Sequence, residues 1–179
     1  MSMAATPRAW TLDDLYALPD DGNKYELVRG ELFVTPAPSY GHEAILAHLT
    51  RILDPYVTAN GLGLVLRARA ALRHEGSEVE PDLMVRRRNT RDENWETAPA
   101  PSLVVEVLSP TTRRRDREQK RAFYLDAGVG EYWVIDPDAR TITAARHGAL
   151  DSVHRDSMTW QPTGAPAPLA FDISAVFDL

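Results

Sequence analysis

The chain has 179 residues, 44% hydrophobic and 26% charged, with a formal net charge of −6 and no cysteine. That length accommodates one domain with a sizeable core, and the composition excludes collagen-like, disordered and membrane classes. The lack of cysteine rules out disulfide scaffolds, thiolate zinc sites and cysteine nucleophiles, and residues 1–10 lack the apolar core of a signal peptide, so a cytoplasmic protein is the expectation.

Thr11 followed by Leu12, Asp13 and Asp14 predicts a capped short helix to about Leu18, broken by the Pro19 to Gly22 segment. Residues 25–28 and 31–34 are β-rich runs around Arg29-Gly30, the pattern of a hairpin. Ile45, Leu46, Leu49, Ile52, Leu53, Tyr56 and Val57 recur at helical steps, predicting an amphipathic helix from about Gly41 to Ala59 that Asn60-Gly61 ends. From Leu64 the sequence returns to sheet, running through Leu66 into residues 67–73, with a turn at Glu75-Gly76-Ser77 and a further strand over Asp82 to Val85. The polar stretch from Arg86 to Pro101 is long enough to be a functional loop. Leu103 to Leu108 is almost continuously apolar, the mark of a strand buried on both faces, and only Glu106 interrupts it. Ser109-Pro110-Thr111-Thr112 opens a loop, and a helix is expected from about Arg113 to Ala127, closed by Gly128. Residues 131–135 and 141–145 read as strands around a Pro137-Asp138 turn, and short strands around 152–160 and 169–173 are expected to close the sheet. The whole predicts an α/β fold, a mixed central β-sheet flanked by helices, as one domain over residues 1–179.

Glu106 carries the sharpest chemical signal. An ionised carboxylate buried without a partner costs several kcal/mol, so its place inside Val-Val-Glu-Val-Leu requires compensation, and a metal ion is the strongest form of it. Asp82 begins another short apolar strand after Pro81, and two carboxylates from neighbouring strands can converge on one hard cation, Mg²⁺ or Mn²⁺. Lys120 shares a helix face with Phe123, Tyr124 and Ala127, and at the margin of that face its ammonium can reach the carboxylates; Asp116 can equally hold it in a plain helix salt bridge. Arg86, Arg87, Arg88 and Arg91, then Arg113, Arg114, Arg115, Arg117 and Arg121, gather positive charge around these segments. A solvated loop explains those runs equally well, and the acidic total argues against tight nonspecific DNA binding. His42, His48, His74, His147 and His154 have no zinc spacing, and there is no nucleophile elbow or phosphate-binding glycine loop. Trp95, Trp133 and Trp160 read as core or loop anchors.

Taken together, Pro81-Asp82, Glu106-Val107-Leu108-Ser109-Pro110, Asp116, Lys120, Tyr124, Ala127-Gly128-Val129, Glu131-Tyr132-Trp133 and Asp136-Pro137 resemble the signature of the Uma-type restriction endonucleases of the PD-(D/E)XK superfamily, over roughly Leu12 to Arg146. The superfamily's usual lysine, two residues after the second acid, is Leu108 here, and the resemblance implies that it has migrated to Lys120 on the next helix. It also implies a restriction-endonuclease-like core, metal held by Asp82, Glu106 and the Val107 carbonyl, and Lys120 acting on the nucleophile. His42 falls where the family commonly has a histidine, at a helix start where it can touch a phosphate or the metal site. Glu43 is a weaker candidate of the same kind, and Glu26 and Glu31 read as solvated or packed structural contacts. The implied function is a Mg²⁺- or Mn²⁺-dependent endonuclease acting on DNA, with no membrane partner; a homodimer would suit duplex cutting. The alternatives are a catalytically silent nuclease-fold protein that binds nucleic acid or needs a partner, and a small-substrate phosphodiesterase.

Overall fold

The computed structural model describes residues 8–88, 94–109 and 113–178, Arg114 by its backbone only. Arg91, the middle of the polar stretch and Pro110-Thr111-Thr112 therefore lie outside the described residues. The chain opens with α1 (Leu12–Tyr16), where Thr11 and Asp14 form a reciprocal capping box. Strands β1 (Lys24–Val28) and β2 (Glu31–Thr35) form the expected hairpin. Arg29 and Gly30 at its turn have φ of 51° and 81°, the left-handed pair that matches strand twist. Helix α2 (Tyr40–Ala59) is capped by Ser39, whose hydroxyl accepts from the His42 N–H, and it buries Ile45, Leu46, Leu49, Leu53 and Val57.

Then follow β3 (Leu64–Arg67), β4 (Leu72–His74), β5 (Ser77–Val79), β6 (Leu83–Arg86) and β7 (Leu103–Val107). The expected sheet run through residues 67–73 is broken. Ala70 N–H donates to the Arg67 carbonyl in a tight turn, Ala68 and Arg69 are exposed, and β4 leaves for another sheet. The helical segment after β7 comprises α3 (Arg113–Arg115), a π-helical turn (Asp116–Lys120) and α4 (Arg121–Asp126). Next come β8 (Tyr132–Asp136), β9 (Thr141–Ala145), β10 (Ser152–His154), β11 (Ser157–Trp160), β12 (Leu169–Asp172) and α5 (Ser174–Phe177).

The central sheet has six strands in the order β10-β9-β8-β7-β6-β3, and it is mixed because β7 and β8 run parallel while the other pairs are antiparallel. The α3–α4 segment is the crossover that this parallel pair requires. A second sheet, β2-β1-β5-β4, was not anticipated as a separate unit. Of the C-terminal strands, β10 extends the central sheet, whereas β11 and β12 form their own ribbon. The ribbon lays Met158 and Trp160 into the core, with the Trp160 ring edge-on to Trp133 at 6.0 Å, so it covers a face instead of lengthening an edge.

Strand alternation divides the core. Leu83, Val85, Leu103, Val105, Val107, Trp133 and Ile135 share one apolar cluster with α2 and α5. Met84, Val104, Tyr132 and Val134 face the other way, into a cluster with Val28, Leu72, Phe123 and Tyr124. Glu106 stands on this second face, in step with Val104.

Candidate functional site

The β6–β7 register pairs Leu83 with Val105, so the next rung sets Asp82 opposite Glu106 at the carboxyl end of β7. Asp82 is locked there by Val107 N–H, which donates to its Oδ2 at 2.9 Å. His42, in the first turn of α2, places Nε2 3.0 Å from the same oxygen, and Lys24 Nζ lies 3.3 Å from Oδ1. Glu106 Oε1 accepts from Lys120 Nζ at 2.7 Å and from the Tyr124 hydroxyl at 2.6 Å. Lys120 also donates to Glu26 Oε1 at 2.9 Å, and its neighbour on the π-turn, Asp116, stays 4.0 Å away. Asp116 and Lys120, four residues apart on the π-turn, share its inward face, and both are buried.

Asp82, Glu106, His42, Val107 and Lys24 line one cleft of about 940 Å³. Arg67, Arg69, Arg115 and Arg140 also border it, mixed with Glu43, Asp116 and Asp138. Other arginines that seemed free for a partner are engaged within the chain. Arg86 is 3% exposed and donates to the carbonyls of Ala71, Ala98 and Pro99. Arg113 and Arg117 both bind Asp136, and Arg121 binds Asp151.

A family model described as "Putative restriction endonuclease", Uma2, matches residues 12–174. The chain belongs to the Uma2 family. It is also similar to a solved structure from Anabaena variabilis, described as a putative nuclease belonging to DUF820, with 25% identity, a TM-score of 0.80, and coverage of 94% of this chain and 98% of that one. No curated protein matches it. The Uma2 match and this neighbour place the chain in a nuclease family with a nuclease fold. No helix among the described residues is long and apolar enough to cross a membrane.

The electrostatics of this Uma2 site are uneven. Burial disfavours the Asp82 carboxylate, yet Lys24 and His42 outweigh it and hold the carboxyl well below the usual range. Burial likewise opposes charge on Glu26, but Lys120 and Lys24 prevail and lower it. Lys24 and Lys120 remain protonated for the converse reason: their carboxylate neighbours overcome desolvation. His42 is raised, burial being outweighed by Asp82. Glu106 is different. Burial pushes it up to about 8, with Lys120 opposing and Asp82 adding repulsion, so this acid lacks positive charge.

That deficit is the test of whether a divalent cation fits. Glu106 lines the cleft, and among the described residues no hydrogen bond reaches its Oε2. Asp82 stands opposite with a second carboxylate. No three His, Asp or Glu side chains among the described residues form a metal cluster. Two carboxylates suffice for Mg²⁺, which keeps several of its waters and takes only one or two protein acids. The donor set fits.

The structure thus brings Asp82, Glu106, Lys120, His42 and Val107 together, Val107 through its N–H. Glu43 turns to Arg67 and lies 3.6 Å from His42 Nδ1. Glu31 accepts from Gln119 on the exposed surface. Sequence reasoning missed Lys24, Glu26 and Tyr124 as members of the cluster. One signal was available: of 20 basic residues only Lys24 and Lys120 are lysines, and both are here.

Proposed function

We propose that this chain is a metal-dependent endonuclease that hydrolyses DNA phosphodiester bonds in the cleft at the end of β7. The observation that carries this reading is the pair of carboxylates on facing strands, Asp82 and Glu106, one of them short of positive charge in a cleft bordered by basic side chains. Asp82, Glu106 and the Val107 carbonyl would hold Mg²⁺ or Mn²⁺. Such a cation polarises a phosphoryl oxygen and makes a water easier to deprotonate. The chain's own groups set the frame for that chemistry. Val107 N–H and His42 fix the Asp82 carboxylate, and Lys120 with Tyr124 fixes Glu106 Oε1, leaving Oε2 for the cleft. Nicking of supercoiled plasmid in Mg²⁺, abolished by EDTA, tests the proposal. Asp82→Ala should lose more than about 100-fold of the rate, since even groups that only support a metal ligand are worth 10–100-fold. Equal rates for this variant and wild type remove the mechanism.

A second reading is a nuclease fold that binds without cleaving. The net charge of −6 and the pairing of Arg113, Arg117 and Arg121 with acids of the same chain favour it, because they limit general attraction to DNA. Calorimetric titration with Mn²⁺ and DNA separates the two: binding of both without nicking selects the silent form.

A further inference from the structure

We infer that Lys24, on the first hairpin, is the ammonium that meets the scissile phosphodiester, and that Lys120 does not. The inference rests on the nuclease reading above and deepens it. Lys120 is 0% exposed, is not part of the cleft wall, and sits between two buried acids, donating to Glu26 Oε1 and Glu106 Oε1 with Asp116 on a further side. No approach is left for a substrate oxygen unless Glu106 is displaced. Lys24 also stands between two acids, Asp82 Oδ1 at 3.3 Å and Glu26 Oε1 at 3.9 Å, but it differs in access. It lines the cleft, and its side chain keeps 17% exposure. Of three ammonium protons, two go to the Glu80 carbonyl at 3.0 Å and Asp82 Oδ1 at 3.3 Å, leaving one donor for the open side.

Position supports the assignment. Lys24 is hydrogen-bonded to Asp82, one of the two carboxylates proposed to hold the cation, so a phosphoryl group drawn to that cation comes within reach of the same ammonium. When water adds to phosphorus and an ester P–O bond breaks, negative charge builds on the non-bridging oxygens, while the protons of the water pass to solvent and to the leaving oxygen. A fixed ammonium at the cleft wall stabilises that charge without exchanging a proton. The choice of side chain is informative as well. The chain carries 18 arginines among 20 basic residues, yet the two cations closest to Asp82, Glu26 and Glu106 are lysines, compact charges on flexible stems, with Arg115 farther out at 3.9 Å from Glu26.

Because the chain has only two lysines, their side-chain Nζ resonances are easily told apart in isotope-labelled protein, with Lys24→Gln assigning one by its loss. A short DNA duplex added in EDTA should move the Lys24 signal and leave that of Lys120 in place. In Mg²⁺, Lys24→Gln should lower the nicking rate about 100- to 1,000-fold, as for loss of one donor to a developing oxyanion, with Lys24→Arg recovering part of it. Mn²⁺ affinity of Lys24→Gln, read by calorimetry, should fall by no more than about threefold, since removing a cation beside Asp82 does not weaken its hold on another. Movement of the Lys120 signal alone, movement of neither, or nicking by Lys24→Gln at the wild-type rate overturns the inference and leaves the nuclease reading standing. If wild type does not nick at all, the nuclease reading fails by itself, and the two resonances still decide which lysine touches DNA.

Discussion

On one face of β7, Leu103, Val105 and Val107 join Leu46, Leu49 and Leu53 of α2 in a wholly apolar cluster. On the other, Val104 is followed by Glu106, and within a few ångströms stand Lys120, Glu26 and Tyr124, all of them fully or nearly fully buried. The same five-residue strand thus supports two kinds of interior. Apolar packing is non-directional and graded, so each lost methylene has its own limited cost. The polar interior is held by reciprocal bonds, and removing one partner strands the charge of another. The site is therefore built on the less forgiving face.

Paired substitutions break the comparison most severely. Lys120→Met keeps the length of the side chain but leaves Glu26 without its closest cation and Glu106 with only a phenol, and should cost about 3–5 kcal/mol. Leu49→Ala, at a fully buried position of α2, should cost about 2–5 kcal/mol by opening a cavity. Chemical denaturation gives both values, and Mn²⁺ titration separates them, because Leu49→Ala should keep wild-type affinity whereas Lys120→Met should not. Equal affinities in the two variants would show that the polar face does not organise the site.

The acid–base behaviour of Glu106 sharpens the contrast further, since the buried cluster on the other face is built of apolar side chains. In metal-free protein Glu106 titrates near 8, above its ordinary value of about 4.3. The folded chain then holds a proton that the unfolded chain releases at lower pH. Stability from this group is fully present below the ordinary value and is lost as pH rises through about 8, with a slope of up to ~1.4 kcal/mol per pH unit. Urea denaturation in EDTA across that range should show the full slope in wild type and a shallower one in Glu106→Gln, where His42, also raised, still contributes. An undiminished slope in the variant would assign the proton to another group. With Mg²⁺ added at neutral pH, wild type should release a proton, seen as a dependence of binding heat on the ionisation enthalpy of the buffer.

How much of this was legible differs between the two faces. The apolar face was open to reading, because the helical steps from Ile45 to Val57 and the run from Leu103 to Leu108 are local patterns. Glu106 stood out against that run for the same reason, and Asp82 followed from its place before a short apolar strand. Lys120 could be placed on a face by its offsets to Phe123, Tyr124 and Ala127, but not at its depth. The π-turn that carries Asp116 and Lys120 has no periodic signature, and the depth of the ammonium comes from acids on β1 and β7 that helical offsets do not reveal. Lys24 and Glu26 were hidden for another reason. Alternation in β1 reads as an ordinary half-exposed hairpin, and the burial of Glu26 comes from partners 94 residues along the chain at Lys120 and 54 residues along it at Glu80. The second sheet escaped notice likewise, since the pairing of β1 with β5 is a long-range event that a local turn does not announce.

The smallest of these effects isolates a single bond. Tyr124 meets two surroundings on the Glu106 face: its ring packs in the second apolar cluster, 4.9 Å from Tyr132, while its hydroxyl donates to Glu106 Oε1 at 2.6 Å. Tyr124→Phe keeps the ring and removes the bond, and Lys120 remains to hold the same oxygen, so the expected loss is about 1 kcal/mol. The phenol stabilises the ionised form of Glu106, so its removal should move the titration of that acid above about 8. A shift upward with little loss of stability assigns the hydroxyl to the polar network and the ring to the second apolar cluster. An unmoved titration would mean that the phenol does not contribute to the charge of Glu106 and only fills space.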